Sequence, residues 1–289
     1  MQGSEINNKQ MIVTIIGTGL IGGSMALTLK EKGLATRVIG VDVSEQHLTK
    51  ALALGIIDEA TSLQEAVTAS DLIIIGTPIN AAENLLPQIL DLVNKQVVMD
   101  VGSTKKNICK IASAHPKRGR FVATHPMWGT EYSGPEAAVK NAFAEKATVI
   151  CSKEDSDPDA ANLVEQVYQT LGMHLLYMEA VAHDVHVAYI SHISHITSFA
   201  LANTVLEKEK EEDAIFELAS GGFESTVRLA KSNPSMWVPI LMQNKENVLD
   251  VLNEHISQLR KFKASLEKED PDYLLELIEK ANGIKRILK

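Results

Sequence analysis

The chain has 289 residues, 45% hydrophobic and 22% charged, with a net charge of −9 at neutral pH. It can bury a sizeable core without disulfides or metals, and its acidic balance leaves no basic footprint for nucleic acid. An anionic substrate would therefore depend on a few local cations, because the field of the whole molecule opposes it.

The first ten residues, MQGSEINNKQ, are polar and hold no apolar secretory region. MIVTIIG (11–17) reads as a buried strand and SMALTLKEKG (24–33) as a helix. RVIGVDV (37–43) is a second strand, and SEQHLTKALALG (44–55) a helix with a capping Ser and a terminal Gly. DLIIIGTP (71–78) and QVVMDVGS (96–103) are two more strands around a helical stretch. RFVATH (120–125), ATVICS (147–152) and MHLLYM (173–178) are further strand candidates. This rhythm predicts a Rossmann-like, doubly wound parallel sheet with helices on both faces.

The character changes near residue 180. Residues 181–206 form one long helical pattern, and a second helix starts at Pro234 behind Ser232 and Asn233 and runs to about Leu266. Leu241, Val248 and Phe262 make one stripe and Leu252, Leu259 and Leu266 another, both at heptad spacing. Asp270-Pro271 opens a last helix, and the charged run EKEKEEDA (207–214) reads as a solvated helix end or loop. The expected division is a sheet domain over 1–180 and an all-helical domain over 181–289, whose heptad stripes suit pairing of two copies as a homodimer. Cys109 and Cys151 make no CxxC motif and suit a reducing compartment, and no apolar run reaches membrane-spanning length. The expected location is the cytoplasm, with no membrane partner.

GTGLIGG (17–23) carries Gly17, Gly19 and Gly22 in GxGxxG spacing directly between a strand and a helix. The first glycine permits the turn, the second admits a pyrophosphate to the backbone, and the third lets helix and strand pack. Free N–H groups at the helix start, around Leu20 and Ile21, face the phosphates. Asp42 ends the second strand, where a carboxylate accepts from both ribose hydroxyls and repels a 2′-phosphate, favouring NAD over NADP. Ser44 leaves some NADP use open. Thr77 and Pro78 either line the crevice or simply turn the chain at a strand end.

Ser103 and His125 end neighbouring strands, so both should face that crevice. A neutral imidazole there can take the proton of an alcohol as its carbon gives up hydride. A buried structural histidine explains His125 equally well from the residues alone. His183, His186, His192 and His195 tempt a metal reading, but on a straight helix the pairs 183/186 and 192/195 point to roughly opposite faces, so no metal is expected.

GTGLIGGS, DVGSTK, HPMWGTEYSG, HDVHVAYISHISH and VRLAKSNPSMW together resemble the prephenate/arogenate dehydrogenases of tyrosine biosynthesis, over about residues 12–265. The resemblance implies oxidative decarboxylation of prephenate with hydride transfer to NAD+. His125 would accept the proton of the ring alcohol, and Ser103 would align both. Thr130 and Glu131 would shape the pocket, and Arg228 would bind a substrate carboxylate through its bidentate fork. His195 is implied in the pocket, with a packed helix histidine as the alternative. Trp237 belongs near the pocket or subunit interface, or simply in the core. His183 and Asp184 are read as a structural cap. Two departures from the family pattern, Trp128 and Glu224, leave the substrate preference open. There is no room for a mutase segment before residue 11 or an ACT-type domain after 289, which points to a monofunctional enzyme. The other readings are an arogenate dehydrogenase, a β-hydroxy acid dehydrogenase-like enzyme, disfavoured because 181–206 holds no lysine, and a non-catalytic NAD sensor.

Overall fold

The computed structural model describes residues 10–209 and 216–287. The chain opens with β1 (Met11–Ile16), α1 (Leu20–Glu31), β2 (Ala35–Val41), α2 (Glu45–Ala53), β3 (Glu59–Ala60), α3 (Leu63–Ala69) and β4 (Leu72–Ile75). It continues through α4 (Ile79–Leu92), β5 (Val97–Asp100), α5 (Lys106–Ser113), β6 (Phe121–Pro126), β7 (Ala147–Cys151), α6 (Pro158–Thr170) and β8 (His174–Met178). The strands form one eight-stranded sheet in the order β3-β2-β1-β4-β5-β6-β7-β8.

The continuous apolar runs of the central strands are explained by burial on both faces. Side chains alternate across the sheet: Leu72 and Ile74 join one core layer with Met25 and Leu29 of α1 and Val164 of α6. Ile73 and Ile75 join the other with Leu86 and Ile89 of α4 and Ile108 of α5. Pairing is parallel from β3 through β6. The sheet then departs from a fully parallel one: β7 runs antiparallel to β6, with His125 opposite Val149, and β8 follows β7 in parallel. No α-helix lies between β6 and β7, so the chain returns beside β6 without the crossover that a parallel neighbour requires. The two-residue β3 is too short to show as a strand pattern in sequence.

From Ala180 onward the described residues are helical: α7 (Ala180–Val187), α8 (Ile193–Glu209), α9 (Gly221–Val227), α10 (Pro234–Gln243), α11 (Lys245–Glu267) and α12 (Pro271–Asn282). Asn233 caps α10 through Ser235 N–H at 2.9 Å, and Asp270 caps α12 through Tyr273 N–H at 2.9 Å. α10 buries Trp237 and Ile240 in the α4 core layer, which ties the helical part to the sheet.

Two helices expected to be continuous are interrupted. A π turn at Ala188–His192 separates α7 from α8, and the 234–266 helix breaks at Asn244, whose ψ of 24° is not helical. No described helix is long and apolar enough to cross a membrane. Cys109 and Cys151 are free and buried. The polar start of the chain up to residue 9, and the charged run from residue 210 to 214, lie outside the described residues.

Candidate active site

The glycine loop shows three separate constraints. Gly17 has φ +91°, and a Cβ there would sit 2.8 Å from the Gly76 carbonyl. A Cβ on Gly22 would sit 2.5 Å from the Gly17 oxygen and 2.7 Å from Ile15 Cγ2, so only glycine lets α1 close onto β1. Gly19 meets nothing within 4 Å, leaving an open approach to the backbone. α1 starts at Leu20 with no side-chain cap and no acidic residue in its first turn, so its N–H groups at Leu20, Ile21 and Gly22 are suited to an anion.

Asp42 faces this loop. Its Oδ2 accepts from Thr18 N at 2.9 Å and Thr18 Oγ1 at 3.1 Å, and its Oδ1 from Ser44 N at 2.9 Å. Ser44 Oγ is engaged as the α2 cap, accepting from His47 N at 3.2 Å. Thr77 Oγ1 is buried without a hydrogen-bond partner, and Pro78 opens α4. An orphaned hydroxyl, an uncapped helix start and an open glycine fit a dinucleotide lying along the carboxyl ends of β1, β2 and β4.

Across the crevice, β6 delivers His125, which is 9% exposed. Its Nδ1 lies 2.9 Å from His183 Nε2, with the rings edge-on at 67°. His183 Nδ1 lies 2.8 Å from Asp184 Oδ1. The Asp184 carboxylate also accepts from Lys105 N at 2.7 Å and Lys106 N at 2.9 Å. The expected cap is thus present but serves α5, a different helix; the cap position of α7 itself is Glu179, which makes no side-chain cap bond. Burial, followed by the proximity of His183, Lys105 and His192, holds the His125 imidazole well below its ordinary pKa of 6.5. Burial likewise lowers His183, against the opposing pull of Asp184. Both shifts favour the neutral ring.

Ser103 is half-buried in the loop before α5, and its hydroxyl makes no hydrogen bond among the described residues. The next two residues are anchored more firmly. Thr104 Oγ1 donates to Gln243 Oε1 of α10 at 2.8 Å. Lys105 is wholly buried, its ammonium bonded to the Asp100 carboxylate and, at 2.7 Å, to the Thr124 carbonyl.

The loop after β6 reaches the helical part. Glu131 Oε2 accepts from Arg228 Nη1 at 3.3 Å; its own main-chain N–H, then Arg228, holds that carboxyl below the usual range. Thr130 is half-buried beside it, with its hydroxyl accepting from Tyr132 N at 3.3 Å. His195 stacks on Trp237 with centroids 3.4 Å apart, and burial lowers its pKa, with the Arg228 cation adding to the effect. Trp237 is buried, with His192 edge-on at 6.0 Å. Trp128 instead turns into the α1 core layer against Phe143, and Glu224 is exposed on α9.

His183, His192, Asn244 and Lys105 hold places that the sequence pattern does not reveal. On a straight helix His183 and His192 lie nine residues, or about 180°, apart. The π turn absorbs one residue, so they advance as eight would, about 80°, and both turn inward. Asn244 then joins them, donating to the Asp184 carbonyl at 2.6 Å and to His192 Nδ1 at 3.2 Å. Lys105, within DVGSTK, is given no role by the sequence alone. Its one sequence signal is Asp100 five positions earlier, on a strand buried on both faces.

The family model described as "Prephenate dehydrogenase, nucleotide-binding domain" matches residues 25–177, and "Prephenate dehydrogenase, dimerization domain" matches 179–280. The prephenate dehydrogenase of Bacillus subtilis is 31% identical over 280 residues, covering 96% of this chain and 76% of that protein. The chain belongs to the prephenate dehydrogenase family. Among solved structures, prephenate dehydrogenase from Aquifex aeolicus in complex with hydroxyphenyl propionate and NAD+ superposes with a TM-score of 0.87 at 30% identity, covering 96% of this chain and 98% of that one. Synechocystis arogenate dehydrogenase superposes at 0.78 with 28% identity, covering 96% of this chain and all of that one (100%).

Proposed function

We propose that the protein oxidatively decarboxylates prephenate to 4-hydroxyphenylpyruvate with NAD+. Bound NAD+ supplies the hydride acceptor. Gly17, Gly19, Leu20, Ile21 and Gly22 hold its pyrophosphate, Asp42 its ribose, and Thr77 and Pro78 line its crevice. His125 takes the proton of the ring alcohol as the adjacent C–H electrons leave. The ring carboxylate then departs as CO2, its bonding pair completes the aromatic ring, and the resulting phenolate oxygen takes the proton back from His125. Ser103 orients the alcohol, and Thr130, His195 and Trp237 bound the pocket. Arg228 binds a substrate carboxylate and exchanges Glu131 for it. The charge-assisted contact with the guanidinium favours a dianion in a protein whose net charge disfavours one.

The observation that carries this reading is the Arg228–Glu131 contact. It brings a guanidinium 103 positions beyond His125 to the loop six residues after it. The test is NADH formation on mixing protein, NAD+ and prephenate, with arogenate and NADP+ as parallel arms. Prephenate with NAD+ should be the fastest pair, and His125→Asn should abolish it. Full activity in that variant refutes the assignment of the base.

We further assign residues 1–180 to nucleotide binding and 181–289 to the pocket's far wall and to pairing of two subunits. β8 ends at Met178 and the helices begin at Ala180. Leu259, Leu266, Leu275 and Ile278 on α11 and α12 are exposed in the single chain, as expected of helix faces that meet a second copy. Two free buried thiols fit the cytoplasm.

A further inference from the structure

With both rings neutral, the chain His125–His183–Asp184 admits only one arrangement of protons. The Asp184 carboxylate receives two main-chain N–H groups, from Lys105 at 2.7 Å and Lys106 at 2.9 Å, so it acts as an acceptor. The ring nitrogen facing it, His183 Nδ1 at 2.8 Å, must therefore carry the proton. A neutral imidazole has one N–H, so His183 Nε2 presents a lone pair. That lone pair faces His125 Nδ1 at 2.9 Å, and two lone pairs at this distance repel. His125 Nδ1 must donate, which leaves Nε2 as the basic atom. Among the described residues Nε2 makes no hydrogen bond.

We propose that His183 and Asp184 are positioning residues that fix His125 as the Nδ1–H tautomer, so that its Nε2 lone pair accepts the substrate's proton. The proposal rests on the reading above that His125 is the base. In the step itself the alcohol proton moves to His125 Nε2, and Nδ1 keeps its own. No proton needs to pass to His183 or Asp184. Their part is to hold the ring in the competent form and to stabilise the imidazolium once it forms, with the Asp184 charge two links away. The same carboxylate caps α5 and so anchors the loop carrying Ser103. One side chain thus sets both the proton placement on the base and the position of the hydroxyl expected beside it. His183 and Asp184 touch neither substrate nor cofactor in this scheme, and their effect passes through His125.

The decisive measurement is the ring 15N spectrum of the unliganded, full-length protein at pH 7.5, with His125→Asn used for assignment. His125 should show a pyrrole-type Nδ1 and a pyridine-type Nε2. In His183→Phe, which keeps the ring volume but removes the acceptor, His125 should shift toward the Nε2–H form. In that variant kcat should fall at least tenfold, a part of the roughly 10²–10⁴-fold that a positioned general base contributes, with KM for prephenate little changed. His183→Gln, whose Oε1 can accept the same N–H, should regain most of kcat and the wild-type tautomer. A wild-type His125 carrying its proton on Nε2 overturns the proposal, as does a folded His183→Phe with wild-type kcat. A rise in KM at constant kcat would also contradict it. If the wild type fails to oxidise prephenate, the substrate assignment falls, while the spectrum still decides the tautomer. If His183→Phe does not fold, the wild-type spectrum and His183→Gln carry the decision.

Discussion

Replacing Lys105 by Met tests how the strand ends that carry the chemistry are held. The Lys105 and Asp100 side chains are both 0% exposed, and the ammonium also bonds the Thr124 carbonyl at 2.7 Å, one residue before His125. Met fills similar volume and removes the charge alone. Asp100 then keeps only Gly102 N at 2.9 Å and Thr124 N at 3.2 Å, two neutral donors for a full buried charge. Breaking a buried pair on one side costs about 3–5 kcal/mol, because the remaining charge has lost its partner but not its desolvation. The Thr124 carbonyl adds about 1 kcal/mol. Against a total of about 5–15 kcal/mol for a folded domain, the variant should fold yet be much weakened.

Removing both charges, in Lys105→Met with Asp100→Asn, should recover at least half of that loss, since no uncompensated charge remains. The assay is equilibrium urea unfolding of wild type, both single variants and the double variant, with the coupling energy taken from the cycle. A loss below about 1 kcal/mol in Lys105→Met, or a double variant no better than the sum of the singles, would show that the pair is not what holds β5 to β6. Activity should fall with stability only to the extent that His125 moves. Comparing kcat at a temperature where each variant is fully folded separates the two effects.

Arg228→Gln should raise KM for prephenate about ten- to a hundredfold and leave kcat within a few-fold, because it removes a charge-assisted contact made in ground state and transition state alike; steady-state kinetics reads both. Gly19→Ala should keep the wild-type melting temperature, since its Cβ meets nothing within 4 Å, yet weaken NAD+ binding measured by calorimetry. Gly22→Ala should lose both, because its Cβ would lie 2.5 Å from the Gly17 oxygen. His192 is buried with its pKa lowered, mainly by burial, from 6.5 to about 4. The unfolded chain therefore binds more protons than the folded one between those values, and stability is lost as pH falls from 6.5 toward 4. At 1.36 kcal/mol per pH unit this one group accounts for about 3 kcal/mol. His192→Asn, which keeps an acceptor for Asn244, should flatten the pH dependence of the urea midpoint across that window. An unchanged slope would refute the assignment.

What was legible in the sequence follows the range of the interactions involved. The strands of the parallel sheet announce themselves because burial on both faces demands uninterrupted apolar runs, as in Leu72–Ile75. The glycine loop is legible because each of its constraints is local: a positive φ at Gly17, contact of Gly22 with β1, and an open side at Gly19. Caps at Ser44, Asn233 and Asp270 likewise act within three residues. The direction of β7 is set by what the chain does between 127 and 146, where no α-helix forms to carry it across the sheet. Hydrophobic patterning within a strand does not report that choice.

The helical half hides more, because its site is made by departures from helical regularity. A straight-helix projection sends His183 and His192 to opposite faces, and nothing in AYISH (188–192) marks a π turn. The break at Asn244 is similarly silent, since the backbone bonds Asn244 N to Ile240 O and Val248 N to Asn244 O persist on either side of it. The two irregularities share a cause, visible only in three dimensions. Asn244 leaves the helical path where its amide can bond the Asp184 carbonyl and His192, and the π turn rotates His192 to meet it. The two irregularities together complete a chain of polar contacts from Asn244 through Asp184 and His183 to His125. That arrangement fits the general pattern in which π turns and polar cores sit beside reacting groups and not in the supporting scaffold.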